Sequence, residues 1–262
     1  MNCRLCGGKT KFFAVAKLRK KYEISYFICH DCELLQTEEP YWLEEAYADP
    51  ISANWVGLVS QNINYSHRAQ ALLLTYFGHR KKYIDYGGGY GLFVRLMRDA
   101  GFDFSRFDPF CPNLLAPGFD APAESAHEYA LATAFEVFEH FVEPLAEIQK
   151  ILNLSSSILF STNLVPQPMP QPAEWEYYDL ENGQHVALYS YKTLQVIADM
   201  FKLNLYSNGY SMHLLTPHAI NPWAFKMIYN IKVAILMSWS LKKILRVNSL
   251  QPRDYAQSAL LL

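Results

Sequence analysis

The chain has 262 residues, of which 51% are hydrophobic and 18% are charged. This composition is typical of a folded globular protein and excludes a disordered, fibrous or disulfide-rich one. Since 23 Lys and Arg residues are balanced by 25 Asp and Glu residues, the chain lacks the positive charge of a protein that binds long nucleic acids.

Neither end of the chain resembles an export or membrane signal. Residues 1–11 are polar and basic and lack the apolar core of a secretory signal. Residues 228–247 are largely apolar, but Lys and Arg residues interrupt them, and a spanning helix needs roughly 20 apolar residues. We therefore expect a cytoplasmic protein without a transmembrane segment.

The N-terminal part is dominated by two Cys-x-x-Cys pairs, formed by Cys3, Cys6, Cys29 and Cys32. Two such pairs can supply a tetrahedral set of thiolates for Zn²⁺, and alternating residues between them predict a hairpin. The alternatives are a redox-active dithiol or chance pairs, but a redox pair is expected beside a βαβ pattern, which is missing here. The pattern predicts a structural zinc ribbon over residues 1–37, with Cys111 as a small buried residue.

The next two segments are predicted to be a helical linker and a strand–turn–helix unit. Apolar residues at helical spacing favour helices in the linker, residues 38–78. Residues 83–84 then predict a buried strand, and residues 92–97 predict a helix that ends at Gly101. The turn between them is glycine-rich, but Leu92 and Val94 stand where a dinucleotide fingerprint needs glycine. The spacing is instead Asp-x-Gly-x-Gly-x-Gly, formed by Asp85, Gly87, Gly89 and Gly91.

Further landmarks follow in order along the chain. Asp108 stands at the expected end of a second strand, and residues 129–135 predict a buried strand that leads into Glu136. Pro144 begins a predicted helix, and residues 157–161 supply another strand.

This series of motifs resembles the class I methyltransferases that depend on S-adenosylmethionine (SAM). The resemblance implies a doubly wound α/β fold over residues 79–217, with a mostly parallel seven-stranded sheet and a Rossmann-like arrangement. It also implies SAM as cofactor, with the ribose bound by the acid after the second strand and the linker helices covering the site, where Tyr47, Tyr65 and His67 could face the pocket. The residues implied to bind the cofactor are Asp85, Gly87, Gly89, Gly91, Asp108 and Glu136.

The segment after the fifth strand is expected to form the acceptor side of the site, because ligands bind beyond the carboxyl ends of parallel strands. It contains an aromatic cluster, residues 175–178, which we expect either to contact the acceptor or to pack as a lid. It also resembles the sugar C- and O-methyltransferases of deoxysugar and polysaccharide pathways, which share the zinc ribbon and a histidine implicated in acid/base work. That position is His185 here, the predicted catalytic residue, but Gln184 replaces the neighbouring glutamate. A glutamine cannot take a proton, so carbon methylation is in doubt, whereas oxygen methylation needs only one base.

Glu136, Glu139 and His140 offer a second possibility at the end of the fourth strand. The segment resembles ubiquinone-biosynthesis O-methyltransferases, and the three residues could hold a divalent cation that orients the acceptor. We favour the simpler interpretation, in which Glu136 lines the SAM pocket and His140 hydrogen-bonds the backbone.

Residues 218–262 are predicted to form an amphipathic helical tail. On a helical wheel its cations fall on one side, although Ile235 and Trp239 interrupt that polar face. We expect packing against the core or a partner subunit, as in a homodimer, with contact to a membrane surface as the alternative.

The sequence as a whole predicts a SAM-dependent methyltransferase of a small polar acceptor, most simply a sugar or nucleotide-linked sugar. An RNA methyltransferase that uses the ribbon to bind RNA and a non-catalytic SAM-binding protein remain as alternatives.

Overall fold

The computed structural model describes residues 1–48, 56–122 and 128–258. The strands of its central sheet, numbered along the chain, are β4 (Lys82–Tyr86), β5 (Asp103–Phe107), β6 (Leu131–Phe135), β7 (Ile158–Ser161), β9 (Asn204–Ser207) and β10 (Met212–Thr216). Their order across the sheet is β5-β4-β6-β7-β10-β9. β5, β4, β6 and β7 run parallel, whereas β10 is antiparallel to both β7 and β9.

Helices cover both faces of this sheet, so the doubly wound prediction is confirmed. Alternate residues of a strand point to opposite faces, and Ile84 packs in one core with α4 and α5, while Tyr83 packs in the other with α2, α3 and α6. The helices are α1 (Leu43–Ala46), α2 (Leu58–Leu72), α3 (Leu92–Asp99), α4 (Pro144–Leu154), α5 (Tyr191–Phe201), α6 (Pro222–Tyr229), α7 (Ile231–Leu245) and α8 (Gln251–Ser258).

The predicted count of seven strands is wrong for the described residues, where the central sheet has six. At the outer edge of β5, Arg106 and Asp120 form only an isolated parallel bridge. Four prolines lie within residues 109–122. Because proline cannot donate a ladder hydrogen bond, this segment follows β5 without becoming a strand.

The N-terminal hairpin forms a second sheet that includes a strand from the second half of the chain. β1 (Thr10–Leu18) pairs antiparallel with β2 (Tyr22–Cys29), as the alternating residues predict. β2 pairs with β3 (Leu35–Thr37), which in turn pairs with β8 (Ala187–Leu188). Thr193 at the start of α5 donates to the carbonyl of Cys32 at 2.8 Å, so the ribbon and the sheet domain share hydrogen bonds.

The C-terminal segment is helical and is held against the core by helix packing and by ion pairs between side chains. α7 packs along α2, and Asp254 of α8 accepts from Arg98 Nε and Nη2, both at 2.8 Å, and from Arg95 at 2.7 Å. Among the described residues, none of the helices is both long enough and apolar enough to pass through a bilayer.

Candidate active site

A cavity of about 1130 Å³ opens beyond the carboxyl ends of β4, β5 and β6. This is the edge at which open α/β sheets bind ligands. Its wall includes five of the six predicted cofactor residues: Asp85, Gly87, Gly89, Asp108 and Glu136. The sixth, Gly91, lies at the N-terminus of α3 with φ of 87°.

The glycine turn is packed too tightly for side chains. A Cβ on Gly87 would lie 2.6 Å from Val137, and this residue also has a φ of 70°. A Cβ on Gly88 would lie 2.7 Å from Arg106 Cγ and 2.8 Å from Asp85 Oδ2. Glycine at these positions therefore lets the backbone of the turn run close to β5 and leaves the neighbouring part of the cavity free of side chains.

Asp108 joins the turn to the loop after β5. Its Oδ2 accepts from the N–H of Gly89 at 2.8 Å, and its Oδ1 accepts from Phe110 and Cys111 at 2.8 and 2.9 Å. Each carboxylate oxygen can accept more than one hydrogen bond. The group is thus fixed by backbone donors and can still accept from hydroxyls in the cavity.

Arg106 supports the glycine turn, and no sequence motif indicates this role. Its buried guanidinium donates to the carbonyls of Gly89 and Cys111 and to Asp120, and so fixes the glycine turn against the following loop. Nothing in the sequence distinguishes this arginine from an exposed one, because the residue pattern of β5 does not show that the side chain at this position is buried.

Asp85 lies under the turn and is almost fully buried. Thr133 donates to its Oδ1 at 2.5 Å. Burial, reinforced by the charge of Asp108, raises the pKa of this carboxyl to about 7, although the Thr133 hydrogen bond opposes the shift.

Glu136 directly follows β6 and has a positive φ of 53°. Such a conformation is costly for a residue with a side chain and is found at functional sites. Its Oε1 accepts from Tyr65 at 2.8 Å and from Ser161 at 2.5 Å. Tyr47 and Tyr65 both line the cavity, whereas His67 is not part of its wall.

A cluster of Glu139, His140, Tyr177 and His185 lies beside the cavity. Tyr177 donates to Glu139 Oε1 at 2.5 Å, while Glu139 Oε2 is buried without a partner in the described residues. Burial, with the nearby charge of Glu136, raises the pKa of Glu139 well above its ordinary value. Burial also lowers the pKa of His140 to about 3, so this imidazole stays neutral.

His185 has a defined tautomer. Its Nδ1 lies 2.7 Å from the carbonyl oxygen of Tyr177, which can only accept, so Nδ1 carries the proton and Nε2 keeps its lone pair. His140 lines the cavity, and its ring centroid lies 5.0 Å from that of His185, which is not itself part of the wall. Gln184 donates to the carbonyl of Ala46 at 2.8 Å.

The aromatic cluster after β7 packs against the ribbon. Tyr178 meets Tyr26 of β2 edge-to-face at 5.2 Å, and Trp175 belongs to the same group of contacts. Neither residue lines the cavity, so of the two expectations for this cluster the structure agrees with packing.

Two groups of side chains in the described residues have metal-ligand spacing, and the ligand atoms within each lie within 4.8 Å of one another. In the first, Cys3 and Cys32 sulfurs are 3.5 Å apart, as are those of Cys6 and Cys29. The second contains Glu139, His140 and His185. The sequence suggested Glu136, Glu139 and His140 as a possible cation site. In the structure His185 replaces Glu136 in this group, because the Glu136 carboxylate accepts hydrogen bonds from Tyr65 and Ser161.

Several solved structures resemble the fold. The Burkholderia thailandensis 1,6-didemethyltoxoflavin-N1-methyltransferase, solved with bound 1,6-didemethyltoxoflavin and S-adenosylhomocysteine, has 11% identity and a TM-score of 0.50, with 78% of this chain and 97% of that chain covered. TnmH has 13% identity and a TM-score of 0.45. CalO1, a methyltransferase in calicheamicin biosynthesis, has 16% identity and a TM-score of 0.40.

These likenesses concern the fold alone. The match to TnmH covers 67% of this chain and 61% of TnmH, and the match to CalO1 covers 59% of this chain and 54% of CalO1. The chain therefore spans less than two thirds of either protein. No curated protein sequence matches the chain.

A profile described as "Methyltransferase domain" matches residues 61–208, which is more than half of the chain. The match begins in α2, includes the glycine turn, Asp108, Glu136 and His185, and ends just after β9. The chain belongs to this methyltransferase family.

Proposed function

We propose that the protein transfers a methyl group from SAM to a hydroxyl oxygen of a small polar acceptor, most simply a sugar or a nucleotide-linked sugar. The observation that carries the proposal is the cavity itself, whose wall brings the glycine turn, Asp108 and Glu136 together.

The residues around the cavity suit an adenosyl ligand. The lone pair that Asp108 Oδ2 keeps beside its hydrogen bond from Gly89 would accept from a ribose hydroxyl, and a carboxylate is a strong acceptor for such a donor. Phe110 stacks on Tyr47 with centroids 5.5 Å apart and 15° between the ring planes, which offers an aromatic surface at the same loop. When bound, SAM would supply an activated methyl group on a positively charged sulfur.

His185 is proposed as the general base. Its Nε2 would accept the proton of the acceptor hydroxyl as the oxygen forms its bond to the methyl carbon and the bond between that carbon and sulfur breaks. His140 suits this role less well, since an imidazole with a pKa near 3 is a weak base. Holding the acceptor in line with the methyl group would supply most of the rate enhancement.

Gln184 supports transfer to oxygen in preference to carbon. Its amide is used in a buried hydrogen bond to Ala46, next to the proposed base. An amide can neither remove a proton from carbon nor increase the basicity of His185 by its charge. The sugar-like acceptor itself rests on the resemblance in the segment around His185.

We further propose that the four ribbon cysteines bind Zn²⁺. Thiolates at about 2.3 Å from a tetrahedral Zn²⁺ are about 3.8 Å apart, close to the observed 3.5 Å. The ion would fold the ribbon and would also support the segment that carries His185, because Arg4 of the ribbon donates to the carbonyl of Val186 at 2.8 Å.

The zinc proposal is tested by metal analysis of purified protein. We expect about one zinc per chain, which Cys6→Ser abolishes and Cys111→Ser leaves intact, since Cys111 lies outside the cluster. Equal zinc content in the two variants would contradict this assignment.

The function is tested by incubating the protein with radiolabelled SAM and a panel of sugars and nucleotide sugars. His185→Ala should lower turnover at least 100-fold and leave SAM affinity unchanged. His218→Ala is the matched control, because that histidine is exposed and should have no effect. SAM binding without turnover on any acceptor would instead indicate a non-catalytic protein.

A further inference from the structure

We propose that the outer face of α7 binds the surface of a bilayer that contains anionic lipids. The name "outer stripe" is used here for five residues of this face: Lys232, Ile235, Leu236, Trp239 and Lys243. The proposal concerns a surface away from the active-site cavity and is independent of the methyl-transfer reaction.

The outer stripe is one face of a helix whose opposite face is already used. Ala234 and Ser238 are buried, on the side that packs along α2. The stripe residues are spaced by three or four positions and so lie together. In its centre Ile235 is 43% exposed, and Leu236 and Trp239 are each 63% exposed.

These apolar side chains lie between cations. Lys232 and Lys243 are both exposed and, at 1.5 Å per residue, are separated by about 16 Å along the helix. Lys243 lies over the Trp239 ring, 5.4 Å from its centroid. An exposed apolar centre between two lysines matches the acyl boundary of a bilayer and its phosphate headgroups, and tryptophan favours that interface.

In the stretch of sequence around the outer stripe, all the Asp, Glu, Lys and Arg positions are occupied by Lys or Arg. Residues 200–253 contain seven Lys and Arg residues and no Asp or Glu, although the whole chain has a formal net charge of −2. A negatively charged lipid surface would be attracted to this segment without opposing carboxylates. The neighbouring helix α6 also exposes two large apolar side chains, Trp223 and Met227, which are 77% and 56% exposed.

A second copy of the chain is a poorer partner for the same face. In a twofold contact the same patch meets itself, and the outer stripe would then bring lysines of both copies together at one interface. Like charges in such a contact oppose binding, whereas anionic headgroups neutralise them. Because none of the described helices can cross a bilayer, contact would be restricted to the surface.

The test is sedimentation of the full chain with large vesicles of phosphatidylcholine, with or without 30 mol% phosphatidylglycerol. We expect binding only to the anionic vesicles, with an affinity that falls as salt concentration rises. Leu236→Ser with Trp239→Ser should weaken binding on the order of tenfold. Lys232→Glu with Lys243→Glu should weaken it about 25-fold or more, since each lysine contributes about fivefold near such a surface.

The matched control is Lys11→Glu with Lys17→Glu on β1, where both lysines are also exposed. This variant should bind as the unmodified chain does. Failure of the unmodified chain to bind anionic vesicles, or equal weakening by the two lysine pairs, would overturn the proposal. A dimer in light scattering that Leu236→Ser and Trp239→Ser convert to monomer would also overturn it, in favour of self-association.

Discussion

Substitution of Gly88 by alanine tests whether the glycine turn must remain free of side chains. Gly88 was not part of the predicted motif, yet a Cβ there would overlap Arg106 Cγ at 2.7 Å and Asp85 Oδ2 at 2.8 Å. Neither atom can move easily, because Arg106 is held by Asp120 and two carbonyls and Asp85 by Thr133.

Overpacking of this kind costs about 1–3 kcal/mol. If the strain falls on the ligand-binding form of the turn, the affinity for the cofactor should fall by about 5- to 150-fold. Gly57→Ala is the matched control, because Gly57 has a φ of −86° and its added Cβ would have no neighbour within 4 Å among the described residues.

The assay is titration calorimetry with S-adenosylhomocysteine, supported by thermal unfolding to establish that each variant is folded. Gly57→Ala should bind as the unmodified protein does. If folded Gly88→Ala binds with unchanged affinity, the turn does not form the cofactor site and the steric reasoning is refuted.

Two further predictions concern stability. Asp254→Asn should lower the free energy of unfolding by about 3–5 kcal/mol in urea, because it leaves the buried Arg98 without its main partner. Glu128→Gln removes an exposed pair with Lys82 and should lower the free energy of unfolding far less, because solvent screens such a pair. Similar losses in the two variants would contradict the role of burial. Burial raises the pKa of Asp85 to about 7 in the folded protein, from an ordinary value of 3.8. The stabilising effect of this group is therefore complete below about pH 4 and is lost as the pH rises through 7. Asp85→Asn should therefore be more stable than the unmodified protein at pH 8, by up to about 4 kcal/mol, with little difference at pH 4, and a difference that does not change with pH would contradict the assignment.

The sequence predicts much of the fold because its patterns are local. The hairpin of β1 and β2 follows from alternating residues and the Cys pairs, and the order of the parallel strands follows from the motifs along the chain. The number of strands was wrong for the described residues because it came from the family resemblance, whereas the prolines in residues 109–122 disfavour an edge strand in that segment.

The site was less predictable where it depends on distant contacts. The residues of the glycine turn and Asp108 were identifiable because they are close in sequence and carry a distinctive spacing. By contrast, Arg106 fixes the glycine turn through buried hydrogen bonds that no spacing indicates. Tyr65 was expected to face the pocket, but the sequence could not rank it against Tyr47 and His67. The association of His185 with Glu139 likewise joins distant segments, because the N–H of Val186 donates to the carbonyl of Glu139 at 2.9 Å.

The most direct measurement is a crystal structure with S-adenosylhomocysteine bound. We predict the adenosyl group in the cavity beyond β4, with a ribose hydroxyl on Asp108 Oδ2 and the glycine turn against the ligand. Clear density for the ligand at another position, or an empty cavity at saturating ligand concentration, would contradict the assignment of the cofactor site.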